Sequence, residues 1–164
     1  MKIHWLGACA LLLAACGGNT EPVAVETAQE ADILIQDRFR LFESAADHDT
    51  TLTQLLQSLD RRDLNVFALI DHQAGAENAD LQMPPSTLVI FGNPKAGTPL
   101  MVAEPLLGAE LPLRALVYET EGKVMLAVTG TDFLEREYGL ERQSETLDRI
   151  ASTLETIATE ATAP

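Results

Sequence analysis

The segment Gly92-Asn93-Pro94-Lys95-Ala96-Gly97-Thr98 combines the residue types of an anion site. It joins an apolar run at 87–91 to a stretch of helical character. Backbone N–H groups at a helix start lack intrahelical acceptors and carry partial positive charge, so they attract anions. Lys95 adds a full charge, and Asn93 and Thr98 add hydrogen-bond donors. Gly92 and Gly97 are spaced as in a nucleotide-phosphate loop, but Thr98 stands where that loop needs lysine, so Walker chemistry is excluded. The competing reading is a structural turn fixed by Pro94 and Gly97.

His72 follows Asp71 at the end of a second apolar run, 64–70. An imidazole titrates near pH 6.5 and can move a proton or hold a ligand, so His72 is a candidate general acid or base. Its competing role is a strand-terminal residue bonded to nearby backbone. Asp47-His48-Asp49 lacks the helix-face spacing of paired metal ligands and reads as a helix cap instead. No metal or cofactor is expected. Ser86 follows Pro85 without a nucleophile-elbow pattern, so no serine triad is assembled. Glu119, Glu121, Glu135 and Glu137 read as solvated charges.

The two cysteines, Cys9 and Cys16, have a different use. Lys2 precedes an apolar run over 5–15, well short of the roughly 20 residues that span a membrane. Leu13-Ala14-Ala15-Cys16 has the form of a bacterial lipobox. The expectation is a signal peptide over 1–15, lipid on Cys16, and a flexible tether over 16–31. The alternative is ordinary cleavage near Ala15. Gly17, rather than aspartate, follows the lipidated position, which favours the outer membrane facing the periplasm. The membrane is then a partner through acyl chains on Cys16. No thiol is left for disulfides, redox chemistry or thiolate metal sites.

A chain of 164 residues, 46% of them hydrophobic, holds one ordinary domain with a packed core. A net charge of −14 repels phosphate backbones, so nucleic acid is excluded as a partner. The elements that must position the candidate residues follow from periodicity. Odd-numbered apolar positions predict a strand over 33–43. Leu52, Leu55, Leu56 and Leu59 predict a helix capped by Asp49 or Thr50. Strands follow at 64–70 and 87–91, with a short helix at 74–79 between them. Thr98 and Pro99 have the form of a cap and first residue of a helix running toward Pro105. Strands at 113–118 and 124–128 meet in a hairpin at Glu121-Gly122. Residues 132–138 form a helix stopped by Gly139. Leu147, Ile150, Leu154 and Ile157 mark a final amphipathic helix over 142–160, with a frayed tail at 161–164. This pattern predicts a two-layer α+β domain, its sheet antiparallel or mixed, with helices mainly on one face.

Phe67 to His72, Pro84 to Thr87, Phe91 to Met101, Leu111 to Leu113 and Gly122 to Val124 occur in an order that resembles the DUF302 family of small bacterial and archaeal domains. The resemblance covers roughly 37–140, within a domain placed at 32–141, and implies a compact α+β fold; it brings no catalytic residues with it. Many relatives carry a Tyr-Asn pair after the last strand, where this chain has Val128-Thr129-Gly130-Thr131-Asp132. The resemblance also suggests that His72 and the Asn93–Lys95 loop share a pocket. The leading expectation is an envelope module that binds a small anionic molecule at Gly92, Asn93, Lys95, Gly97, Thr98 and His72. The alternatives are an enzyme using His72, and an assembly partner acting through a sheet edge or the last helix.

Overall fold

The structure, a computed structural model, describes residues 38–164. The leader, Cys16, the tether and the predicted strand residues 33–37 lie outside the described residues. Five strands, β1 (Phe39–Glu43), β2 (Asn65–Asp71), β3 (Ser86–Gly92), β4 (Leu113–Thr120) and β5 (Lys123–Thr129), form one sheet in the order β1-β5-β4-β3-β2. Every neighbouring pair is antiparallel. Among the described residues, five α-helices longer than one turn accompany them: α1 (His48–Asp60), α2 (His72–Glu77), α3 (Pro94–Ala103), α4 (Thr131–Tyr138) and α5 (Ser144–Ala161). The α+β architecture is therefore present, and its sheet is antiparallel throughout.

Local chemistry explains most of these elements. The β4–β5 hairpin closes through Glu121 and Gly122 at φ 51° and 76°, the paired positive values of a two-residue turn that matches strand twist. Gly139, at φ 64°, ends α4 in the left-handed conformation that glycine adopts without a Cβ clash. Burial alternates along β4, so Leu113, Ala115 and Val117 enter the core. Val89 and Phe91 of β3 and Leu126 and Val128 of β5 share that face. Leu55 and Leu59 of α1, and Leu147, Leu154 and Ile157 of α5, close over it. The α1–α5 pair forms the main helical layer.

Four expectations change. The α1 cap is Asp47, whose Oδ1 accepts the Thr50 N–H at 2.7 Å, rather than Asp49 or Thr50. α2 starts at His72, two residues before the predicted start, because Asp71 caps it by accepting the Ala74 N–H at 2.9 Å. α3 starts at Pro94 rather than Pro99. Asn93 and Thr98 each precede a proline, and the chain uses the first pair; Pro99 lies inside the helix, where it lacks an N–H to donate. Finally, the tail is held at its start: Ala161 is buried, and the Ala45 N–H donates to the Thr162 carbonyl at 3.1 Å.

Gly97 now sits inside α3, outside the left-handed region, and a Cβ there would meet Leu111 Cδ1 at an ordinary 3.7 Å. Gly97→Ala should raise stability by about 0.4–1 kcal/mol, through lower backbone freedom in the unfolded chain. Urea unfolding would measure it; a loss of stability would show that Leu111 and Met101 cannot accept the methyl group.

Candidate functional site

A groove of about 900 Å³ opens between α3 and α5. Phe91, at the end of β3, and Leu113, at the start of β4, contribute to its lining. Leu100 and Met101 of α3 line it, with Leu111 and Pro112 from the following loop. From α5 come Thr146, Arg149, Ile150 and Thr153, spaced to share one helix face. Leu64 and Phe67 reach it from the β2 side, and Phe67 is half-exposed there.

Gly92, Asn93, Lys95, Gly97 and Thr98 all line this groove. Their backbone is not the anion cradle that the loop's composition suggested. The Lys95 N–H donates to Asn93 Oδ1 at 2.9 Å. The Ala96 and Gly97 N–H groups both donate to the Asn93 carbonyl at 3.0 Å, and Pro94 has no N–H. The asparagine cap thus uses the N–H groups that an anion would need. Charge at this site comes from side chains instead.

Among the described residues, three cationic side chains line the groove, and they differ in their commitments. Arg62 holds Glu160 through two contacts, Nη1 to Oε2 at 2.9 Å and Nη2 to Oε1 at 2.6 Å, and also donates to Ser58 Oγ. Arg149 donates to Glu145 at 3.0 Å, with both side chains exposed. Lys95 is exposed and makes no ion pair among the described residues. It is the cation left open to a ligand.

The Arg62–Glu160 contact has a measurable signature. Hydrogen bonds from Arg62, then Ser58 and Arg61, hold the Glu160 carboxyl far below its ordinary value of 4.5. A depressed carboxylate stabilises the fold above its unfolded pKa and loses that contribution as pH falls toward the folded value. Wild type should therefore melt above Glu160→Gln at neutral pH. Their gap should narrow once pH drops below 4.5 and continue to narrow into strong acid. Parallel thermal melts would check this; a pH-independent gap would contradict it.

His72 is not part of the groove. Strand β2 pairs Asn65 with Gly92 at the groove end and Asp71 with Thr87 at the other. Six residues of extended strand separate the two ends by about 20 Å. His72 lies beyond Asp71, exposed, as the first residue of α2. The antiparallel register thus separates it from Lys95, and the shared-pocket expectation is corrected. At Asp47-His48-Asp49, His48 is buried, with Nδ1 3.2 Å from Asp49 Oδ1. Among the described residues, no three His, Cys, Asp or Glu side chains converge as metal ligands.

A second polar cluster had almost no sequence signal. Buried Glu110 accepts from Arg38 Nη2 at 2.9 Å, Arg114 Nη2 at 2.6 Å and the Tyr138 hydroxyl at 3.2 Å. Burial, followed by the hydrogen bond to Glu110, pushes the Tyr138 phenol up. Only the Glu110–Arg114 pair, four residues apart, was visible in the chain order. The cluster ties the approach to β1, the start of β4 and α4 together. Next to it, buried Thr129 accepts the Arg114 N–H at 3.3 Å, within the segment that departs from the Tyr-Asn pattern.

Comparison with known proteins places these features in a family. The model for "Domain of unknown function DUF302" matches residues 42–157. That span includes most of α5, so the helix belongs to the family domain rather than following it. A solved structure, an uncharacterized conserved DUF302 protein from Bacillus stearothermophilus, superposes with a TM-score of 0.68. The superposition covers 75% of this chain and 97% of that one at 16% identity, a likeness of fold. Two curated relatives named Fluoride-specific ion channel FluC 1, from Brucella suis biovar 1 and Brucella abortus biovar 1, are each 45% identical over 83 residues. The match takes in half of this chain but only 33% and 31% of those proteins, so the chain spans about a third of their length. Among the described residues, no helix is long and apolar enough to cross a membrane.

Proposed function

The chain belongs to the DUF302 family, and from that premise we propose that it is a small-molecule-binding module of the cell envelope, carried by lipid on Cys16. The groove beside Lys95 carries this reading. Its volume of about 900 Å³ lies within the range of small-molecule sites, roughly 300–1,000 Å³, and its lining is mainly apolar with a few polar groups. Among the described residues, its titratable lining groups are Arg62, Lys95 and Arg149, with neither carboxylate nor imidazole. That composition favours binding over acid–base catalysis, and the distance to His72 weakens the enzyme alternative further.

The Brucella relatives are named for a fluoride channel, and the shared stretch forms about a third of them. An accessory role beside a channel fits a stretch of that share. Fluoride itself is far too small to be the ligand of this groove.

Thermal unfolding of the unlipidated protein, starting at Gly17, tests the reading against fluoride, phosphate, divalent metals and apolar organic acids. An organic ligand at about 100 times its Kd should stabilise the fold by about 2.7 kcal/mol. A saturable shift with an organic acid supports the module. No organic shift, with or without a response to fluoride, overturns it.

A further inference from the structure

We infer that the groove takes an aliphatic carboxylate, its chain lying on the apolar lining and its head paired with the Lys95 ammonium. This rests on the binding reading above and names the ligand class.

Charge selection is the first argument. The chain has 25 Asp and Glu residues among 164 and a net charge of −14, yet no carboxylate is among the described lining residues. An acidic protein that keeps acids out of one groove has made that groove suitable for an anion. The second argument is charge count. Arg62 shares the Glu160 carboxylate with Arg61, and Arg149 is paired with Glu145. Among the described lining cations, Lys95 alone has no carboxylate partner, which makes it the place for a single negatively charged head. The third is the spent helix start: Asn93 occupies the Lys95, Ala96 and Gly97 N–H groups, so there is no backbone cradle for a phosphate. Behind the lysine, Leu64, Phe67, Met101, Leu111, Pro112 and Ile150, all at least partly exposed, offer apolar surface for a tail.

Calorimetry on the unlipidated protein with octanoate, decanoate and dodecanoate, all below micelle formation, would test this. Each added methylene that stays buried should tighten binding about fourfold. Lys95→Gln should weaken dodecanoate about three- to tenfold and leave dodecanol unchanged, with Lys95→Arg recovering most of the loss. Dodecanol binding wild type as tightly as dodecanoate would overturn the head-group assignment while leaving the binding module intact. Tighter binding of dodecyl phosphate would move the assignment to phosphate. If other apolar organic acids bind but the aliphatic series does not, the ligand class falls and the module stands. Failure of every organic compound would overturn both.

Discussion

A chain ending at Gln143 should fail to fold. Helix α5 buries Leu147, Leu154 and Ile157 almost completely, with Ala158 and Ala161 beside them. Burying a leucine or isoleucine side chain contributes about 1.5–3 kcal/mol, so these three supply roughly 5–9 kcal/mol. A domain's whole stability is about 5–15 kcal/mol. The truncation also uncovers Leu55 and Leu59 of α1, both fully buried, and removes Glu160 from Arg61, Arg62 and Ser58. Circular dichroism should show lost structure and no cooperative melt. A sharp transition in the shortened protein would instead make α5 a detachable cover.

Phe91→Ala should cost about 3–5 kcal/mol, the range for removing a buried aromatic ring. Phe91 is 1% exposed and lies opposite Leu113 across the β3–β4 ladder. Its loss leaves a cavity where β3 hands the chain to α3, and it removes part of the groove lining. Urea unfolding would give the stability loss, with Phe91→Leu expected to lose much less. A change below about 1 kcal/mol would mean that the ring is not held by the core.

What could be read from residue order was whatever neighbours decide. The Glu121-Gly122 turn, the stop at Gly139 and the apolar period of α5 each need only a few adjacent residues, and each is present. Asn93-Pro94 and Thr98-Pro99 are equivalent local signals, so residue order alone could not choose between them. Periodicity showed that α5 has an apolar face but not that α1 and the sheet cover it. The loop half of the groove was legible, because Asn93, Lys95, Gly97 and Thr98 lie close together in one short segment. The other half comes from Arg62, Phe67, Arg149 and Ile150, far away in sequence. His72 was misplaced for a related reason. Closeness to an apolar strand says nothing about which end of the sheet that strand's terminus reaches.

The sheet order has a kinetic consequence. Its two outer strands, β1 and β2, are its two earliest, while the three inner strands are made afterwards. A chain leaving the ribosome N-terminus first presents β1 long before its partner exists, since Phe39 pairs with Thr129. Such pairings close large loops and slow folding. β2 meets its neighbour β3 next in the chain, yet its Val66, Phe67, Leu69 and Ile70 stay substantially exposed even in the finished domain. Closure of the sheet therefore comes late, with β1 waiting for the last strand to arrive, and the interval before β5 is complete is when the nascent chain is most open to aggregation and to capture by chaperones.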